Sequence, residues 1–140
     1  MSATVLQGAV AARDAASPKA RWTGIVLSTI AVLFLTFDTV FKLVGAQAAV
    51  DGTVQLGYRP EDLLTIALIE IACLVLLLIP RTAVLGAILW TGYFGGAIAT
   101  HMIAESPLFS HTIFPIYVAA LIWGGLYLRD TRVRSLIKAR

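Results

Sequence analysis

The chain is 140 residues long, and its composition excludes an ordinary soluble enzyme. Apolar residues make up 59% of it and charged residues 14%, and the mean hydropathy is +0.85, far from the usage of soluble globular domains. The net charge of +3 comes mainly from the basic C-terminus, which favours orientation in a membrane over nucleic-acid binding. The single cysteine, Cys73, excludes an intrachain disulfide and a Cys-x-x-Cys redox motif. We therefore predict an integral membrane protein with no attached soluble catalytic module.

The fold class predicted is all-α, an integral membrane four-helix bundle with up-down-up-down order. A segment of roughly 20 apolar residues spans the hydrocarbon core of a bilayer, and the chain contains four segments near that length, predicted as helices over 22–44, 63–79, 83–102 and 113–128. A mostly acidic loop beginning at Gly45 separates the first two, and Pro80 and Pro107 mark the next two turns. Short connections make neighbouring helices antiparallel. The four-helix domain is predicted over 21–130.

The two ends of the chain are predicted to lie on the same side of the membrane. Residues 1–20 are small and polar and lack the apolar core of a signal peptide, so we expect a mobile tail, and residues 131–140 form a basic tail. Arg59 stands alone in the loops of the opposite side. Because basic residues favour the cytoplasm, we expect both termini there, in a multi-pass protein of a bacterial inner membrane. The basic residues of the cytoplasmic side are Arg13, Lys19, Arg21, Arg81, Arg129, Arg132, Arg134, Lys138 and Arg140.

Three charged residues fall inside the predicted helices, toward their outer ends. An ionisable group in hydrocarbon costs about 2.5 to 3.5 kcal/mol on insertion scales, so Asp38 and Glu70 should face the bundle interior or a water-filled cavity. Asp38 and Lys42 are four residues apart and share a helix face. Glu70 has no opposite charge within a turn and is the strongest site candidate. Two interpretations stay open: these residues bind a ligand or carry protons, or Asp38 pairs with Lys42 while Glu70, protonated or hydrogen-bonded, only joins helices.

His101 and His111 flank the predicted outer turn. Their spacing across Pro107 does not match a helical metal pair, so two wetted interfacial histidines are the alternative to a metal site or proton relay. Haem would need facing ligands at greater depth. We predict no haem or metal motif. The predicted polar cluster opens toward the outer face and consists of Asp38, Lys42, Glu70, His101 and Tyr117.

Gly92, Gly96 and Thr100 form a ridge of small residues on the third predicted helix. Such ridges let helix backbones approach closely in lipid. The ridge either packs within the bundle or faces another subunit, which would make the protein a homo-oligomer. The sequence leaves both alternatives open.

Several runs of residues resemble the DoxX-like family of small bacterial membrane proteins. They are TGYFGGAIATH over 91–101, SPLFSHTIFP over 106–115, GLYLRD over 125–130, FKLVG over 41–45 and LIPRTAVLGAIL over 78–89. The resemblance covers nearly everything after the N-terminal tail and implies a four-helix membrane bundle. DoxX relatives are associated with a thiosulfate:quinone oxidoreductase and with membrane oxidoreductase or oxidative-stress complexes. The resemblance transfers no catalytic residue to this chain, so it does not decide whether the protein is an enzyme.

Three functions remain as hypotheses. The leading one is a membrane subunit that binds a lipid-soluble or small polar ligand beside a redox partner; a quinone is one candidate, with Glu70, His101 and Tyr117 at its polar end. The second is a transporter or channel component in which Asp38 and Glu70 take protons or cations. The third is a non-catalytic scaffold whose buried charges set the helix register.

Overall fold

The computed structural model describes residues 16–138, together with Thr4, Gln7 and Gly8. Over residues 16–138 the chain forms six α-helices and one π-helical turn, with no β-strand in that range, so the predicted all-α class is confirmed. The helices are α1 Pro18–Leu43, α2 Gln47–Gln55, α3 Asp62–Leu78, α4 Ala83–Ile103, α5 Phe114–Arg129 and α6 Thr131–Lys138, and the π-helical turn Leu108–Thr112 precedes α5.

Three stretches of the described chain are long and apolar enough to cross a membrane. They are Pro18–Leu43, Ala83–Ile103 and Leu108–Arg129, the last of which joins the π-helical turn to α5. The chain is therefore a multi-pass membrane protein. Helix α3 is equally apolar in character but has only 17 residues, so its crossing does not follow from length alone.

Local chemistry explains why α1 begins earlier than predicted. The side chain of Ser17 accepts a hydrogen bond from the backbone N–H of Ala20 at 3.2 Å, and Pro18 occupies the first turn, where its fixed φ suits a helix and its missing N–H is not needed. The helix ends before Gly45, whose φ of 64° suits a residue without a Cβ. Most of the predicted mobile tail over 1–20 lies outside the described residues.

Helix α2 occupies part of the segment predicted as an acidic loop. The side chain of Gln47 donates a hydrogen bond to Asp51 one turn later at 2.8 Å, and Thr53 is buried with its hydroxyl donating to the carbonyl of Ala49. These contacts stabilise a nine-residue helix despite the turn-like Asp51-Gly52 pair. The prediction of an irregular loop was wrong for these residues.

The long helices pack around a shared apolar core. Helix α1 contacts α3 and α5, and α4 contacts the same two helices. The core includes Ala31, Leu35, Cys73, Leu74, Leu77, Ala87, Trp90, Val118, Ile122 and Leu126. Helices α1 and α5 lie close together at Gly125, where an added Cβ would lie 2.9 Å from the Ser28 nitrogen and 3.0 Å from the Gly24 oxygen.

The predicted glycine ridge on α4 does not make such an approach. Gly92 and Gly96 are exposed, and no atom of the described chain would come within 4 Å of a Cβ added at either. Within residues 16–138, neither glycine therefore brings α4 into close contact with another helix. Contact of the ridge with another subunit stays a prediction.

At the end of α5 the chain is held by Arg132. Its guanidinium contacts Asp130 at 3.1 Å and donates to the carbonyl of Pro80 at 2.6 Å, which ties the start of α6 to the turn between α3 and α4. Partial burial raises the pKa of Asp130, but the hydrogen bonds from Arg132 more than offset this and hold the pKa below its usual value. The predicted basic tail thus begins as a helix fixed to the bundle.

Candidate functional site

A cavity of about 790 Å³ lies at the end of the helices where α1 finishes and α3 begins. Its size is within the range of small-molecule sites. Helix α2, which the sequence did not predict, forms one wall with Ala49, Gly52, Thr53 and Leu56. Most of the remaining wall is apolar or aromatic: Phe34, Leu35, Ile66, Ile69, Trp90, Phe94, Phe114, Pro115 and Val118.

Four polar residues from three helices meet beside this cavity, and three of them line it. We refer to Asp38, Lys42, Glu70 and Tyr93 as the charged cluster. The Lys42 ammonium forms ion pairs with Asp38 Oδ2 and with Glu70 Oε1. The Tyr93 hydroxyl donates a hydrogen bond to the same Glu70 oxygen. The cluster therefore joins α1, α3 and α4 through a single carboxylate oxygen.

Burial differs sharply across the charged cluster. The side chain of Glu70 is 0% exposed and that of Lys42 is 17% exposed, whereas that of Asp38 is 40% exposed. Burying a carboxylate is costly unless it is paired and hydrogen-bonded, and Lys42 and Tyr93 supply both. Lys42 on α1 is thus the opposite charge that Glu70 lacks on its own helix.

The charged cluster has unused hydrogen-bonding capacity on its cavity side. An ammonium has three N–H donors, and within the described chain Lys42 uses two, one on each carboxylate. The Tyr93 oxygen can still accept a hydrogen bond. Lys42 and Tyr93 both line the cavity and both contact Glu70, so they connect the buried carboxylate to it. Glu70 Oε2 has no partner among residues 16–138.

The spacing of aromatic residues along α4 explains why Tyr93 reaches the charged cluster. Tyr93 and Phe94 lie three and four residues after Trp90, Ala97 lies three residues after Phe94, and all four line the cavity. The rings of Trp90 and Tyr93 pack edge to face, with centroids 5.4 Å apart, which fixes the direction of the phenol. Sequence reasoning missed Tyr93, although this spacing was readable.

Two histidines lie at the mouth of the cavity. His101 Nδ1 is 3.0 Å from Ser106 Oγ, His111 Nδ1 is 2.8 Å from Ser110 Oγ, and the ring centroids are 5.9 Å apart. In the part of the chain that the structure describes, no group of three or more His, Cys, Asp or Glu is arranged to hold a metal ion. The histidines therefore form a hydrogen-bonded polar rim.

The structure brings together three of the five residues of the predicted polar cluster: Asp38, Lys42 and Glu70. His101 lines the same cavity but sits at its mouth, with Ser106 as its hydrogen-bond partner. Tyr117 is half-exposed, packs its ring near Phe114 and is not among the described residues that line the cavity. Tyr93 takes the place that the sequence analysis gave to Tyr117.

Comparison with known proteins identifies the segment that carries this site. Residues 26–125 match the model of the DoxX-like family. The match contains the whole charged cluster and both histidines of the cavity mouth. No curated protein and no solved structure matches the chain.

Proposed function

The chain belongs to the DoxX-like family, and from this premise and the geometry of its site we propose that it binds a lipid-soluble ligand in the 790 Å³ cavity. The ligand carries a carbonyl or hydroxyl group on an apolar body, and a quinone has this chemistry. The observation that carries the proposal is a charged cluster with free hydrogen-bonding capacity at the wall of a mostly apolar cavity.

The apolar wall suits the body of such a ligand. Phe34, Trp90, Phe94 and Phe114 line the cavity from three helices, and flat rings pack well against aromatic side chains. A cavity lined mostly by apolar groups, with few polar groups that fix orientation, is typical of small-molecule sites. The helices around it belong to a membrane protein, so the ligand can enter from lipid.

The charged cluster suits the polar end of the ligand. The third N–H of Lys42 donates to a carbonyl oxygen, and the Tyr93 oxygen accepts from a hydroxyl, so the two residues together can hold an oxidised or a reduced quinone ring. Glu70 does not line the cavity within the described residues. It acts as a positioning residue that holds Lys42 and Tyr93 by their shared hydrogen bonds.

The proposal includes the arrangement in the membrane. Helix α3 would cross as a fourth span, since 17 residues at 1.5 Å each reach about 26 Å, close to the hydrocarbon thickness of a thin bilayer. Both termini would face the cytoplasm of a bacterial cell, in its inner membrane. Gly92 is exposed and is not among the described residues that line the cavity, so this part of the ridge suits contact with a redox partner or a second copy.

A variant that fills the cavity tests the proposal without touching the charged cluster. Ala97 lines the cavity and Ala99 on the same helix is exposed and outside it, so Ala97→Phe and Ala99→Phe form a matched pair. We expect a decyl-substituted benzoquinone to quench tryptophan fluorescence saturably in the purified wild type and in Ala99→Phe, and not in Ala97→Phe. Native mass spectrometry with lipid extraction should show the same pattern for any copurified ligand.

Equal quenching in the two variants would contradict the cavity as the site. Proton flux in vesicles that is lost in Glu70→Gln, without saturable quinone binding, would instead support the transporter alternative. Wild-type behaviour of Glu70→Gln and Asp38→Asn in both assays would support the scaffold.

A further inference from the structure

A second cavity lies at the opposite end of the helices from the charged cluster. It has a volume of about 320 Å³ and is lined by Arg21 and Ile25 of α1, Pro80 of the turn after α3, Ala83 at the start of α4, and Leu126, Arg129, Asp130, Thr131 and Arg132 at the junction of α5 and α6. Three of its nine lining residues are arginines. This cavity has no role in the proposed ligand site, and the inference below does not rest on that function.

Two of the arginines make no hydrogen bond or ion pair with the residues that the structure describes. Arg132 is held by Asp130 and by the carbonyl of Pro80. The guanidinium groups of Arg21 and Arg129 make no hydrogen bond within residues 16–138, and the charge of Arg129 also acts on Asp130. Each guanidinium presents five N–H donors in a planar fork that matches phosphate oxygens. Two guanidinium groups with unused N–H donors at one cavity favour the binding of an anion that has several oxygen atoms.

The position of the cavity indicates where that anion comes from. Arg21 lies near the start of one membrane-spanning helix and Arg129 at the end of another, so both sit at the level of lipid headgroups. Trp22 next to Arg21 is exposed, as expected of an indole at the interface. Ile25, which is exposed on α1, gives the cavity an apolar side next to the membrane.

Helix α6 supports the same placement. Its Val133 is buried against the bundle, whereas Leu136 and Ile137 are exposed on a helix that also carries Arg132, Arg134 and Lys138. Basic amphipathic helices of this kind lie in the interface of anionic membranes. The cavity between α6 and the bundle therefore opens at a charged membrane surface.

We infer that this cavity binds the phosphate group of an anionic phospholipid headgroup. Arg21 and Arg129 donate to the phosphate oxygens, and Ile25 contacts the glycerol and upper acyl region. The bound lipid joins the beginning of α1 to the end of α5.

Native mass spectrometry of the full chain in detergent tests the inference. The protein is titrated with phosphatidylglycerol, with phosphatidylcholine and with soluble glycerol 1-phosphate. The site variant is Arg21→Gln with Arg129→Gln, and its control is Lys19→Gln with Arg81→Gln, which removes equal charge from the same end at residues outside the cavity lining.

We expect phosphatidylglycerol to bind the wild type and the control with similar affinity and to bind the site variant about 25-fold more weakly, from about fivefold for each basic group. Arg21→Lys with Arg129→Lys keeps the charge but removes the planar forks, so its affinity should fall between those two. Phosphatidylcholine should bind more weakly than phosphatidylglycerol to the wild type.

Three outcomes would overturn the inference. An equal loss of phosphatidylglycerol affinity in the site variant and the control would show that binding depends on the total positive charge at this end of the protein and not on the cavity. Glycerol 1-phosphate bound as tightly as the lipid would show a site for free phosphate esters. Unchanged affinity in the site variant, with its thermal unfolding also unchanged, would show that these arginines bind no headgroup.

Discussion

At the scale of single residues, Lys42 is the group on which the charged cluster depends. It is the counter-charge of Glu70, which is 0% exposed, so Lys42→Met leaves a buried carboxylate uncompensated. Breaking a buried pair from one side typically costs about 3 to 5 kcal/mol. We expect Lys42→Met to lower the free energy of unfolding by about that amount in denaturant unfolding in detergent.

The control for this prediction is the second partner. Asp38 is 40% exposed, so Asp38→Asn should cost about 1 kcal/mol or less. The double variant Lys42→Met with Glu70→Gln removes both buried charges and should recover most of the loss. If the loss in the double variant equals the sum of the losses in Lys42→Met and in Glu70→Gln, then Lys42 and Glu70 are not energetically coupled.

These residues also show which part of the site the sequence could predict. The pairing of Asp38 with Lys42 follows from their separation by four residues on one helix. The contact of Lys42 with Glu70 spans 28 positions and depends on how α1 and α3 are rotated about their axes. Tyr93 was missed for the same reason, because a helix face is readable from sequence but its orientation toward a neighbour is not.

At the scale of helices, the contact of α1 with α5 depends on Gly125. A Cβ there would press on backbone atoms of α1, at 2.9 Å from the Ser28 nitrogen, whereas one at the adjacent Gly124 would meet only Leu27 Cδ1 at 3.7 Å. We expect Gly125→Ala to lower stability by about 1 to 3 kcal/mol, the usual range for overpacking.

Gly124→Ala is the matched control for Gly125→Ala. It adds the same methyl group one residue earlier on the same helix, and its better helix propensity should leave stability unchanged or raise it by up to about 1 kcal/mol. Both variants are compared by thermal unfolding in the same detergent. Equal effects would show that backbone contact at Gly125 is not what limits the α1 and α5 spacing.

The elements themselves were largely predictable, and their contacts were less so. The long apolar segments fixed the helices to within a few residues, since bilayer thickness and turn residues leave little freedom. Helix α2 was missed because Asp51-Gly52 resembles a turn. The ridge at Gly92 and Gly96 was a candidate for internal packing, but small residues only permit close approach, and Gly24 with Ser28 has the same spacing and makes the contact with Gly125.

At the scale of the whole molecule, the two ends of the helices have opposite chemistry. One end holds a mostly apolar cavity with two carboxylates and one ammonium in contact. The other end holds a smaller cavity with three arginines and a basic helix beside it. Buried apolar residues such as Leu74, Leu77 and Ile122 lie between them, so an ion that crosses the protein would have to pass this packed layer.

The arrangement of these two ends across the membrane is a prediction that depends on α3. If α3 crosses, Glu61 before it and Arg81 after it lie on opposite sides, and the excess of basic residues places Arg81 in the cytoplasm.

Both side chains are exposed, so each can be replaced by cysteine in a Cys73→Ala background. We expect a membrane-impermeant maleimide to label Glu61→Cys in intact spheroplasts and to label Arg81→Cys only after lysis. A reporter fused after Arg140 should be active in the cytoplasm. Labelling of both cysteines from the same side would show that α3 does not span the bilayer, and labelling of Arg81→Cys alone from outside would reverse the orientation.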